Sequence, residues 1–87
     1  MSVETMSWLG MLRRMIRAAG RRVAEADEPE LATLLALRDE LDAAIASAVD
    51  GQHASGRSWE AIGKAAGLTR QGAFQRWGQR RTNKGIA

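Results

Sequence analysis

Residues 58–77 read SWEAIGKAAGLTRQGAFQRW and predict two short helices joined by a tight turn. Ser58 is a favourable N-cap for the first helix. Gly67 is placed to end it, because glycine readily adopts the left-handed conformation that a tight turn needs. Thr69 is placed to cap the second helix through its hydroxyl. Gly63, four residues before the turn glycine, is small enough for a close helix crossing.

The same stretch separates inward-facing from outward-facing positions. Ala73 and Trp77 are four residues apart and are expected to share a buried face. Trp59 is interpreted as a core residue rather than a base-stacking platform, and Leu68 is expected to pack from the turn into the core. A small residue, a turn glycine four positions later and then an apolar residue is the spacing of a helix-turn-helix. We therefore predict this motif over residues 58–81.

The motif S-W-x-x-I-G-x-x-x-G-L-T-R-Q-x-A-x-Q-R-W resembles the helix-turn-helix of small actinobacterial and actinophage DNA-binding proteins. It is loosely similar to region four of sigma factors and to the domains of feast/famine-type regulators. The preceding L-R-D-E-L-D-A-A-I-A-S-A-V is similar to the helix that often precedes the motif in that group. The resemblance covers residues 37–77 and implies double-stranded DNA as the partner. Gly72 and Phe74 depart from the alanine and the polar residue expected at these positions.

The resemblance implies that the second helix of the motif reads bases from the major groove, and the helical wheel agrees. Arginine can pair with guanine, glutamine can pair with adenine, and an aromatic ring can touch the methyl group of thymine. The wheel also places Gly78 on the outward face. Phe74 either reads a base or packs on a partner. The expected base contacts are Thr69, Arg70, Gln71, Phe74 and Gln75.

Charge is divided into three blocks along the chain. Residues 1–24 carry five arginines against Glu4, a net of +4; residues 25–50 carry eight acids against Arg38, a net of −7. Residues 51–87 carry seven basic residues against one acid, a net of +6, which indicates a polyanionic partner. Phosphate contacts set affinity rather than sequence preference. They are expected from Arg57, Ser58, Lys64, Arg76, Arg80, Arg81 and Lys84.

The N-terminal part of the chain predicts two longer helices. The first is expected over residues 3–26, and the second over residues 29–53 after the stop and restart at Asp27-Glu28-Pro29-Glu30. A short connection makes such helices antiparallel neighbours. The predicted fold class is therefore all-α, with an antiparallel helical hairpin followed by a helix-turn-helix, about four helices in all. We expect residues 1–55 to form the hairpin and residues 56–87 the motif with a basic tail, within one compact unit.

An apolar stripe follows the first helix at spacings of three and four residues. It can pack on the second helix, or it can form a dimer interface. The hairpin has more apolar surface than one copy easily buries, so we expect a homodimer. Binding of this basic helix to an anionic membrane surface is a less favoured alternative, because an acidic neighbour is available. The expected interface residues are Trp8, Leu9, Leu12, Met15 and Ile16.

Other classes of site have little support in the sequence. The chain has no cysteine, and His53 is the single histidine, expected to be exposed near a helix end. Ser58 and Thr69 have no paired base nearby, so we expect capping rather than catalysis. We expect no enzyme activity, no cofactor, no metal and no small-molecule ligand.

Arginines interrupt the apolar residues of the first helix, so no membrane span is expected. We expect a cytoplasmic, nucleoid-associated protein.

Two functions follow from these observations. The first is a DNA-binding protein, a bacterial or phage transcriptional regulator or architectural factor. The alternative is a protein-interaction adaptor or antitoxin-like factor that acts through its N-terminal hairpin.

Overall fold

The computed structural model describes residues 3–78, and these are helical almost throughout. Four α-helices and a π-helical turn follow one another without a strand in the described range. The all-α prediction is therefore confirmed. The elements are α1 (Val3–Ala24), α2 (Glu28–Ala54), α3 (Trp59–Ala66), α4 (Arg70–Ala73) and the π-turn (Phe74–Gly78).

The connection between α1 and α2 is short and is held by backbone groups and one carboxylate. α2 begins one residue earlier than predicted, so Pro29 is its second residue rather than its first. This position costs no hydrogen bond, because the first N–H groups of a helix have no partner within the helix. The N–H of Asp27 donates to Oε1 of Glu30 over 3.1 Å, which is one half of a capping box.

The chain divides into two compact units, and α2 contributes to both. The N-terminal unit extends to Glu40, and the C-terminal unit begins at Leu41. The predicted border at residue 55 and the predicted single compact unit stay predictions.

The N-terminal unit has no buried side chain among residues 3–40. α1 and α2 approach each other beside their connection, where Ala19 and Val23 face Leu34 and Leu37 across a pocket of about 320 Å³. Most large apolar side chains of this unit remain exposed. In the part of the chain that the structure describes, no helix combines the length and apolarity needed to cross a membrane.

The C-terminal unit has a small core that joins all of its elements. Up to Gly78, its buried side chains are Val49 from α2, Ile62 from α3, Ala73 from α4 and Trp77 from the π-turn. The prediction that Ala73 and Trp77 face the core is confirmed. Leu68, which was expected to pack inward, is 36 % exposed, because the core is filled from the helices and not from the turn between them.

Candidate nucleic-acid interface

The turn between α3 and α4 is a helix C-cap closed by glycine. Gly67 has a φ of +71°, in the left-handed region. The N–H of Leu68 donates to the carbonyl of Gly63 over 2.7 Å, and that of Gly67 to the carbonyl of Lys64 over 3.3 Å. These two bonds form a Schellman motif, which satisfies the last carbonyls of α3 and reverses the chain sharply. The predicted role of Gly67 is confirmed.

Gly63 lies where α3 meets the turn that follows it. A Cβ on this residue would lie 2.7 Å from the carbonyl oxygen of Thr69 and 2.8 Å from that of Leu68. Both oxygens belong to the backbone, so no rotamer change could relieve the clash. The close approach expected at Gly63 is present, and it sets the distance between α3 and the start of α4.

Both predicted N-caps have the expected geometry. Oγ of Ser58 accepts a hydrogen bond from the N–H of Ala61 over 3.1 Å, and Oγ1 of Thr69 accepts one from the N–H of Gly72 over 3.0 Å. A Cβ on Gly72 would lie only 3.3 Å from this Thr69 oxygen. The absence of a side chain at Gly72, which departs from the motif, therefore leaves room for the cap of α4.

Three aromatic rings form a cluster beside the start of α4. The ring of His53 stacks on Trp59 with centroids 4.3 Å apart, and Trp59 meets Phe74 edge to face at 5.9 Å. Nδ1 of His53 also lies 3.0 Å from the carbonyl oxygen of Arg57. His53 is half-buried by this stacking, whereas the sequence suggested an exposed position at a helix end.

An open surface groove of about 720 Å³ lies next to this cluster. It brings together four of the five residues expected to contact bases, and the fifth, Gln75, is exposed but not among its lining residues. Trp59 is the additional lining residue. Its packing against the core agrees with the sequence interpretation, but its contact with the groove was not anticipated. The only indication of this contact in the sequence is the place of Trp59 at the start of α3, which is compatible with core packing and with lining the groove. The groove is lined by Trp59, Thr69, Arg70, Gln71 and Phe74.

The residues expected to contact phosphate are exposed wherever the structure describes them. Lys64 lies on α3, and Arg76 lies in the π-turn with its guanidinium 5.4 Å from the Trp77 ring centroid. Nη1 of Arg57 donates to Oγ of Ser55 over 3.3 Å just before α3. Ser58 is exposed while it caps α3. The remaining expected contacts lie outside the described residues, namely Arg80, Arg81 and Lys84.

The π-turn departs from the predicted helix. After one α-helical turn the chain widens over Phe74–Gly78, where an ordinary α-helix was expected to continue. Gly78, which the helical wheel places outward, is buried. A Cβ there would contact the ring of Phe74, with Cε1 at 2.8 Å. Phe74 itself is 41 % exposed, as the sequence suggested, and its ring is held between Trp59 and the backbone of Gly78.

Comparisons with protein-family models, with curated proteins and with solved structures found no match to this chain. Among residues 3–78, no group of three or more His, Asp or Glu side chains could hold a metal ion.

Proposed function

We propose that the protein binds double-stranded DNA through a helix-turn-helix formed by α3, α4 and the π-turn. The observation that carries this proposal is the groove beside the start of α4. There Arg70, Gln71 and Phe74 are exposed side by side, on a helix start fixed by the Thr69 cap and the Gly63 contact. In helix-turn-helix proteins, the N-terminal residues of the second helix contact base edges.

The proposal assigns base contacts to residues of the groove and phosphate contacts to basic residues outside it. Arg70 and Gln71 carry the donors and acceptors that distinguish guanine and adenine, and Phe74 offers an apolar edge to the thymine methyl group. Thr69 and Gln75 are the other expected base contacts. Exposed basic residues outside the groove supply phosphate contacts, which set affinity and its dependence on salt. Of the described residues, these are Arg57, Lys64 and Arg76.

The biological class follows from the resemblance noted above. A small bacterial or phage regulator of transcription, or an architectural DNA-binding protein associated with the nucleoid, is the form of this function that we favour. The expected homodimer would present two copies of α4 to two half-sites about one helical turn, or a multiple of it, apart.

Selection from a random duplex library, followed by anisotropy titrations at several salt concentrations, tests the proposal. The double variant Arg70→Ala/Gln71→Ala should lose preference for the selected sequence while it keeps a weaker, salt-dependent affinity. Arg14→Ala is a matched control, since it removes an exposed arginine from the N-terminal unit. Unchanged sequence preference and salt slope in the double variant would contradict the proposal.

A second candidate function is a protein-interaction adaptor or antitoxin-like factor. It is favoured by one observation, namely that α1 has no buried residue along its whole length. The expected outcome for this function is a distinct protein that co-purifies with the full chain and is lost on Ile16→Glu, with affinity for a duplex carrying one half-site unaffected. Co-purification that survives this substitution would count against it.

A further inference from the structure

The N-terminal unit lacks the burial that two helices need to persist in water. α1 is 22 residues long, yet none of its side chains is buried. Trp8, Leu9, Met15 and Ile16 are between 46 % and 61 % exposed. Helices in proteins gain most of their stability from the packing of an apolar face, and isolated ones are marginal in water. The apolar face of α1 therefore requires a cover that residues 3–78 of one chain do not supply.

The uncovered surface extends onto α2. Leu31, Leu35 and Leu37 are each close to half exposed, although their helix is next to α1 at the connection. Leu35 and Leu37 are two residues apart, so they point about 200° apart around the helix and cannot both face α1. Part of the apolar surface of α2 remains outward once α1 is in place. The surface to be covered thus involves both helices, not α1 alone.

The charges of the unit identify what fits this surface. α1 carries five arginines against Glu4, a net of +4, whereas residues 25–40 carry six acids against Arg38, a net of −5. The unit therefore contains a basic helix and an acidic helix of nearly equal and opposite charge. A two-fold symmetric interface requires a surface that complements itself. A second copy of this chain meets that requirement.

We propose that two chains associate through their N-terminal units as a four-helix arrangement, in which α1 of each chain packs against α2 of its partner. Every helix then lies between two helices of opposite charge, and the two basic helices lie on a diagonal. Pairing α1 with its own copy would instead bring together two helices that each carry a net charge of +4. Apolar burial supplies the affinity, and the charges select the pairing.

The distribution of charge along α1 and α2 also sets how the two chains are oriented relative to each other in the dimer. All five arginines of α1 lie between Arg13 and Arg22, in the half that leads to the connection. Four acids of residues 25–40, from Glu25 to Glu30, lie at or just after that connection. Opposite charges meet when both connections lie at the same end of the dimer. This arrangement extends the interface expected from α1 alone, and it does not depend on DNA binding.

Light scattering coupled to size-exclusion chromatography tests the association. The full chain should show twice the 9.5 kDa mass of one chain. Ile16→Glu and Leu35→Lys should each raise the dissociation constant by more than about a hundredfold, since each places a charge in the buried interface against a helix of like charge. Val3→Glu is the matched control, because Val3 is 81 % exposed on the arginine side of α1 and its change should leave the dimer intact. The proposal is overturned if the chain is a monomer at all concentrations, or if the variants at Ile16 and Leu35 both remain dimeric.

Cross-linking tests which helices meet, with no interference from native thiols because the chain has no cysteine. Ile16→Cys and Leu35→Cys are made in separate chains, which are tagged differently, mixed and treated with a short bismaleimide reagent. The two positions lie at similar distances along their helices from the connection. A product joining Cys at position 16 of one chain to Cys at position 35 of the other should predominate. Predominance of the product joining two copies of position 16 overturns the pairing.

Discussion

A Cβ on Gly63 would lie 2.7 Å from the carbonyl oxygen of Thr69, so the backbone of α3 and that of the following turn are in direct contact at this point. Side chains adjust to small changes in volume, but here both sides of the contact are backbone. The contact holds the cap of α4 against α3, and the groove beside α4 depends on it.

We expect Gly63→Ala to destabilise the C-terminal unit by about 1–3 kcal/mol, the usual cost of overpacking a well-packed site. This cost exceeds the gain of up to about 1 kcal/mol from replacing glycine inside a helix. Urea denaturation followed by circular dichroism measures the difference. Gly51→Ala is the control, because nothing lies within 4 Å of the Cβ it would add. It should be neutral or stabilising, and equal effects of the two substitutions would contradict the steric explanation.

The Thr69 hydroxyl should matter for stability independently of any contact with DNA. Thr69→Ala removes the acceptor for the N–H of Gly72 and should cost about 1 kcal/mol, as for other N-cap substitutions. Thr69→Ser keeps the oxygen and should retain most of the stability. The same chemical-denaturation measurement applies to both variants. If serine were as damaging as alanine, the side-chain hydrogen bond would not be the source of the effect.

The edge-to-face contact of Trp59 and Phe74 should appear as coupling in a double-mutant cycle. Trp59→Leu, Phe74→Leu and the double variant should give an interaction energy of about 0.5–1.5 kcal/mol, the range for aromatic pairs. Unfolding free energies of the four proteins provide the measurement. Additive effects within about 0.3 kcal/mol would show that the two rings do not support each other.

Lys64 and Arg70 should affect DNA binding in different ways. Lys64→Ala should weaken binding to all sequences and lower the slope of log affinity against log salt by about one. Arg70→Ala should cost about 1–3 kcal/mol on the selected site and relax the preference at one base pair. Titrations on selected and scrambled duplexes separate these outcomes. Loss of the same size on both duplexes for Arg70→Ala would assign it to phosphate instead.

The turn and its caps could be predicted from sequence because each depends on a residue type with a local role. Gly67 supplies a left-handed backbone, and Ser58 and Thr69 accept hydrogen bonds from N–H groups three residues ahead. Such rules operate within a few residues, so no knowledge of the tertiary fold is needed. The core positions of Ala73 and Trp77 followed from helical spacing for the same reason.

The aromatic cluster could not be predicted in this way, because it joins residues from three elements. His53 meets Trp59 only after the chain turns between α2 and α3, and Phe74 reaches Trp59 from beyond the next turn. The π-turn was missed because no residue type marks it locally. The amphipathic pattern of α1 indicates that one face of this helix is buried, but it does not identify the surface that covers it. In the structure no residue of α1 is buried.

The π-turn has a consequence for residue numbering across this segment. Each of its hydrogen-bonded turns encloses one residue more than an α-helical turn does. A chain with one residue fewer between Ala73 and Trp77 could pass through the same stretch as α-helix and still bury both, since residues three apart share a helix face. Two such proteins would have the same core but would expose different side chains after Ala73. An ungapped alignment across this turn would then compare residues that do not occupy equivalent positions.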